Sequence, residues 1–136
     1  MEEKVLQVKR PLFQVMLEHL QAHYPLEACG ILAGTANHAC HMYVVDNSLN
    51  SPTAYKMDPQ QQLQAMIDLE ERGWEMVALF HSHPTGPERP SQADIAQAYY
   101  PASVYVIVSL ADRDNPVVRG FYIENGRYHE VKINVE

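Results

Sequence analysis

The sequence predicts a single α/β domain, residues 1–136, with helices layered around a mixed β-sheet. A chain of 136 residues suffices for one hydrophobic core, whereas two cores sharing that length would both be poorly buried. Hydrophobic residues make up 46% of the chain and charged residues 20%, which is typical of a globular protein. Strand and helix patterns alternate first and strand patterns dominate the end, which favours a mixed sheet.

The first third of the chain predicts a strand, a helix and a hairpin. Apolar residues at 5, 6 and 8 indicate a short strand, and apolar residues at helical spacing predict a helix over 11–23. The apolar runs 28–34 and 41–45 predict the strands of a hairpin joined by a turn. Glu27 therefore stands at the entrance of the first hairpin strand.

A second helix and a buried strand are predicted in the middle of the chain. Asp58 is a suitable N-cap with Pro59 at the first helical position, and Gly73 ends the helical pattern. The apolar run within 75–80 predicts a central strand that is buried on both faces. A proline-rich loop, 81–90, continues from the end of that strand.

The last third predicts one helix followed by three strands. The helix pattern runs from Ser91 to Tyr99 or Tyr100, and Pro101 stops it. Asn125-Gly126 is a strong hairpin signal. The predicted strands are 104–108, 117–123 and 128–135.

Composition excludes several classes of partner. Ten lysines and arginines against seventeen aspartates and glutamates give a net charge of -7, which disfavours nucleic acid. We find no apolar stretch long enough to span a membrane. The two cysteines predict a reducing compartment and cytoplasmic location. The hairpin register places Cys29 opposite Val44 rather than Cys40, which argues against an intramolecular disulfide.

The motif that points to chemistry is His81-Ser82-His83, followed by Ser91 and then Asp94. Residues i and i+2 of a strand project from the same face, so both imidazoles can converge on one point. The proline-rich loop can return the chain so that Asp94 supplies a third ligand. Two histidines, one carboxylate and an open fourth position form a catalytic type of zinc site.

Simpler interpretations of the same residues remain open at this point. Two histidines at a strand end are commonly solvated, and Ser91 with Asp94 is also a helix-capping box. Both roles are compatible if the cap leaves one carboxylate oxygen of Asp94 for a metal. A second candidate metal cluster, 38–41, is disfavoured because alternation places His38 and Cys40 on one face and His41 on the other.

The motif and the block Leu26-Glu27-Ala28-Cys29-Gly30 resemble the JAMM signature of the MPN+ metalloproteases, over about residues 11–109. The resemblance implies zinc bound by His81, His83 and Asp94. It further implies Glu27 as the general base and Ser91 as a hydroxyl donor to the developing oxyanion. The implied fold is similar to the cytidine-deaminase class, with a curved mixed sheet flanked by helices, although the deaminase sequence signature is absent.

The resemblance implies a zinc metalloprotease of the compact prokaryotic type. We expect it to cleave peptide or isopeptide bonds after the Gly-Gly tail of a ubiquitin-like or sulfur-carrier protein, with the tail adding to a sheet edge beside the zinc. The alternatives are a non-catalytic MPN scaffold, and a phage-tail or DNA-repair relative that length and charge oppose. The sequence leaves open whether the protein forms a homodimer.

Overall fold

The protein, described here by a computed structural model, forms a mixed sheet with helices, as the sequence predicts. Residues 4–136 are described, and residues 1–3 of the predicted domain lie outside them. The elements of the described part are, in order, β1 (Val5–Val8), α1 (Arg10–Ala22), β2 (Cys29–Thr35), β3 (His38–Val45), α2 (Pro59–Glu71), β4 (Glu75–His83), α3 (Gln92–Ala96), β5 (Val104–Ser109), β6 (Val117–Glu124) and β7 (Arg127–Val135). No helix of the described residues is long and apolar enough to span a bilayer.

The sheet closes on itself in the order β1-β3-β2-β4-β5-β6-β7. β1 completes the barrel by pairing in parallel with both β3 and β7. At this seam the side chain of Asn134 donates to Gln7 over 2.6 Å. The sequence pattern predicts a mixed sheet and the family resemblance implies a curved one, but neither predicts its closure.

The helices pack on different faces of the sheet, and β5 illustrates the division. Val104, Val106 and Val108 belong to the apolar cluster that also contains Met16 and Leu20 of α1. The alternate residues, Tyr105 and Ile107, belong to the cluster that contains Ala65 and Leu69 of α2. The period-two alternation of a strand thus places β5 between two apolar layers.

Strand β4 is central to the functional part of the fold because it has a strand partner on each side. It pairs antiparallel with β2, with Cys29 opposite His81. It pairs in parallel with β5, with His81 opposite Ile107. The antiparallel pairing brings the beginning of β2 to the end of β4, so Glu27 and the two histidines meet at one end of the barrel.

Local signals place α2 and the last hairpin correctly. The Asp58 carboxylate accepts hydrogen bonds from the backbone N–H groups of Gln60 and Gln61, which begins α2 as predicted. Asn125 and Gly126 have φ angles of 55° and 72°, the left-handed pair that a tight hairpin turn requires.

Two predictions of local structure are wrong in detail. α3 spans only Gln92–Ala96, because the Ala98 N–H donates to the Ile95 carbonyl, three residues back, instead of continuing the helical pattern. The hairpin register differs by one residue, with Cys29 opposite Val45, because the pairing shifts between Ala33 and Gly34. Cys29 and Cys40 are nevertheless free thiols, as the sequence predicts.

Candidate active site

The two histidines are carried by the last three residues of β4. His81 and His83 project from the same face, and both are buried, with exposed fractions of 1% and 5%. Ser82 lies between them and faces the opposite way. Its hydroxyl accepts from the backbone N–H of Ala28 over 3.0 Å, which fastens β4 to the segment that carries Glu27.

Asp94 reaches the histidines from the first turn of α3. The Ser91 hydroxyl accepts from the Asp94 N–H over 3.0 Å, and the Ser91 N–H donates to Asp94 Oδ2 over 2.9 Å, so the predicted capping box is present. The sequence predicts that the cap and the metal use different carboxylate oxygens. In the structure the same atom, Oδ2, receives the Ser91 N–H and faces both histidines.

Three candidate ligand atoms converge. The Nε2 atoms of His81 and His83 lie 3.0 Å apart, and Asp94 Oδ2 lies 3.2 Å and 3.0 Å from them. A tetrahedral zinc ion with ligand bonds of about 2.0–2.1 Å has ligand-to-ligand distances of about 3.3 Å. The separations, together with the chemistry of two imidazoles and one carboxylate, therefore fit a zinc ion.

Burial and hydrogen bonds shift the pKa values of all three candidate ligands. Burial lowers the pKa of His81. Burial also acts to lower the pKa of His83, but the hydrogen bonds to Asp94 and to the Pro87 carbonyl outweigh it and raise that pKa. Burial acts to raise the pKa of Asp94, but the hydrogen bonds from the two histidines prevail and hold it well below its usual range. Asp94 is therefore a carboxylate near neutral pH, ready to bind a cation.

Glu27 lies beside the cluster without joining its hydrogen bonds. Glu27, His81 and His83 each offer a ligand atom, and these three atoms lie within 4.8 Å of one another. Asp94 Oδ2, at 3.2 Å and 3.0 Å from the two Nε2 atoms, also lies within that limit of both histidines. Burial raises the pKa of the Glu27 carboxyl to about 7, a value at which a carboxyl can both accept and donate a proton near neutral pH.

Ser91 keeps a donor for substrate. Its oxygen accepts the Asp94 N–H, so its own O–H hydrogen is not used in the cap. Ser91 is exposed to solvent, and a bound substrate can therefore approach it. This arrangement allows the capping and oxyanion roles to coexist.

Sequence reasoning missed the residues that support the site. Tyr55 stacks on His81, with ring centroids 4.2 Å apart, and the Asn47 amide donates to the Glu27 carbonyl over 3.0 Å. Strand alternation in β4 could have indicated that Ser82 faces away from the histidines. No local pattern in the sequence identifies Tyr55 or Asn47 as supporting residues. The disfavoured cluster at 38–41 does not assemble as a metal-binding group within residues 4–136.

Comparisons with known proteins agree with the fold and the motif. The family model of prokaryotic homologues of the JAB domain matches residues 9–122. A CysO-cysteine peptidase of Mycobacterium tuberculosis is 32% identical over 133 residues, covering 96% of this chain and 91% of the relative. A probable TtuB-protein conjugate cleaving protease of Thermus thermophilus is 36% identical over 124 residues, covering 90% and 79%.

A solved structure extends the agreement to three dimensions. Protein DSY2949 of Desulfitobacterium hafniense superimposes with a TM-score of 0.86 at 34% identity, covering 97% of this chain and 92% of that protein. The family match contains Glu27 and every residue of the histidine motif. The resemblance to the JAMM metalloproteases is thereby confirmed, and the chain belongs to the family of prokaryotic JAB-domain proteins.

Proposed function

We propose that this protein is a zinc metalloprotease that cleaves peptide or isopeptide bonds after the tail of a ubiquitin-like, sulfur-carrier type protein. The observation that carries the proposal is the convergence of His81, His83 and Asp94 beside a buried carboxyl group, Glu27. Relatives named as a CysO-cysteine peptidase and a TtuB-conjugate protease support the hydrolytic activity and the class of substrate.

His81, His83 and Asp94 would hold the metal. When bound there, zinc supplies Lewis acidity, which polarises a carbonyl group and makes water more acidic. Glu27 accepts a proton from the attacking water and then donates it to the leaving amine. The Ser91 hydroxyl donates to the oxygen of the scissile carbonyl, where negative charge develops in the transition state.

The sequence analysis expects the substrate tail to add to a sheet edge beside the zinc, and the structure requires a different position for the tail. β4 is flanked by β2 and β5, so the sheet edge that a tail would extend does not lie at the histidines. Segment 54–57 places Tyr55 over His81 and forms an isolated bridge between Asn47 and Met57. We therefore place the tail along this segment, with backbone hydrogen bonds as the main contacts.

A fusion assay tests the proposal. The substrates are a ubiquitin-like protein fused to a reporter after Gly-Gly, and the same fusion with the second glycine changed to valine. We expect much faster cleavage of the first, because the proposed tail model leaves no room for a β-branched side chain next to the scissile bond. Equal rates at substrate concentrations well below saturation would contradict the tail model, and no cleavage of any fusion or isopeptide conjugate by zinc-loaded protein would contradict the function.

A non-catalytic MPN scaffold is the rival proposal. The scaffold interpretation requires no metal, so metal analysis of the purified protein separates the two. We further propose that residues 1–136 form one domain and that its layered fold is similar to that of the cytidine deaminases. We also propose that the protein works in the reducing cytoplasm, where its two cysteines would remain free thiols. Whether the active form is a homodimer is decided by its mass in solution.

A further inference from the structure

The two candidate histidine ligands are held in different ways. The Nδ1 atom of His83 lies 2.7 Å from the carbonyl oxygen of Pro87, and a hydrogen bond there fixes the ring and leaves Nε2 for a metal. Among the described residues, Nδ1 of His81 is buried without a hydrogen-bond partner. His81 therefore lacks the bond that normally orients a metal-binding imidazole.

The aromatic ring of Tyr55 restricts the His81 imidazole in place of the missing hydrogen bond. The ring of Tyr55 lies over the face of His81, with a centroid distance of 4.2 Å and an angle of 25° between the planes. The ring of His83 meets the edge of His81 at 4.8 Å and 65°. Rotation of the His81 imidazole about its Cβ–Cγ bond would drive its edge into the Tyr55 ring, so the stack restricts that rotation.

Tyr55 is itself fixed by its neighbours in the loop. The Asn47 side chain accepts from the Lys56 N–H over 3.1 Å and donates to the Ala54 carbonyl over 3.1 Å, so it clasps the residues on both sides of Tyr55. The same amide donates to the Glu27 carbonyl. The Tyr55 ring is thus held relative to the segment that carries Glu27, and not only by contact with His81.

We propose that Tyr55 is a positioning residue for the metal site, an inference that rests on the proposed function. Its ring holds the His81 imidazole with Nε2 directed at Asp94 Oδ2 and His83 Nε2, and so takes the part that the Pro87 carbonyl plays for His83. The hydroxyl is not needed for this role, because Tyr55 makes no side-chain hydrogen bond among those found within residues 4–136. The face of the ring carries the effect.

Zinc affinity, measured by competition with a chromophoric chelator, tests the proposal. We expect Tyr55→Leu to bind zinc about 10-fold or more weakly, the effect typical of removing a group that orients a metal ligand. Tyr55→Phe is expected to bind as the wild type does. The matched control is Tyr99→Leu, since Tyr99 lines the same cavity of about 330 Å³ as Tyr55 but is 74% exposed.

A cobalt-substituted protein gives a second readout that does not depend on activity. The visible absorption bands of cobalt report the ligand geometry, so Tyr55→Leu should change them and Tyr55→Phe should not. Thermal unfolding of the metal-free variants checks that the barrel is retained. If Tyr55→Leu does not fold, Tyr55→Met takes its place, because an unbranched side chain adapts to irregular space.

The outcomes separate this inference from the proposed function. Failure of the wild-type protein to bind zinc would overturn both. If a folded Tyr55→Leu or Tyr55→Met variant binds zinc as tightly as the wild type and shows the same cobalt spectrum, the positioning role alone is overturned. Affinity lost equally in Tyr55→Phe would also overturn it, because the hydroxyl would then carry the effect.

Discussion

The three candidate metal ligands lie on two elements, β4 and α3, that differ in length and in burial. His81 and His83 lie on a nine-residue strand that is paired on both sides and mostly buried. Asp94 lies on a five-residue helix with no buried residue, and its position depends on the capping box with Ser91. The difference teaches that the barrel fixes one half of the site independently of a metal, whereas local hydrogen bonds fix the other half.

The strongest test of this comparison removes the ligands from the strand. The double substitution His81→Ala, His83→Ala is expected to reduce zinc from about one ion per chain to almost none and to abolish cleavage. The fold should survive, because the apolar layers of the barrel do not depend on the metal. Metal analysis and circular dichroism check both statements, with the exposed His38→Ala as control. Full zinc occupancy in the double variant would contradict the site.

The next test changes the carboxyl group beside the cluster. Glu27→Gln is expected to retain zinc and to lose about 100-fold or more of the cleavage rate, the scale of removing a general base. Glu75→Gln, at the exposed start of β4, is the control and should leave the rate unchanged. A substantial loss of zinc in Glu27→Gln would instead identify Glu27 as a ligand.

Substitutions of Ser91 test the capping box that positions Asp94 on α3. Ser91→Ala removes the cap, which costs about 1 kcal/mol, and also removes the donor, so we expect a lower cleavage rate with zinc retained. Ser91→Gly keeps most of the cap stability without any side-chain donor, and Ser91→Thr keeps both the cap and the hydroxyl. Rates that fall in the alanine and glycine variants but not in the threonine variant support the oxyanion role. Wild-type turnover in Ser91→Gly would leave Ser91 as a cap only.

The smallest expected effect concerns the two thiols of the β2–β3 hairpin. Burial raises the pKa of Cys29 to about 12, so almost no thiolate is present below pH 9 in the folded protein. Cys40 is exposed. Iodoacetamide at pH 8 should therefore label Cys40 alone, as mass spectrometry can verify, and unfolding in guanidinium should release the second site. Labelling of Cys29 in the native protein would show that this end of β2 opens.

Elements with a local cause were predictable from the sequence. The Asp58 cap begins α2, and the left-handed pair Asn125-Gly126 closes the last hairpin, because these signals act within a few residues. The pair His81 and His83 was also predictable, since strand alternation alone places both side chains on one face. Asp94 was predicted as a third ligand because the proline-rich loop can return the chain to the histidines. The recognition of Glu27 needed the family motif, because it is an ordinary carboxylate when considered alone.

Features that depend on distant residues were not predictable. The stacking of Tyr55 on His81 joins two segments that no periodicity connects. Barrel closure likewise depends on a parallel pairing between the first and last strands, which neither strand encodes by itself.

The closing seam also affects the order of folding. Gln7 and Asn134, which face each other across it, are 127 positions apart, so their pairing incurs one of the largest loop-closure entropies in the chain. The hairpins β2–β3 and β6–β7 need only short loops and are expected to form earlier. Until β1 docks, β7 presents an unpaired edge that can recruit strands from other molecules. Pulsed hydrogen exchange during refolding should therefore find the amides of β1 protected last, and aggregation should be most rapid before that protection appears.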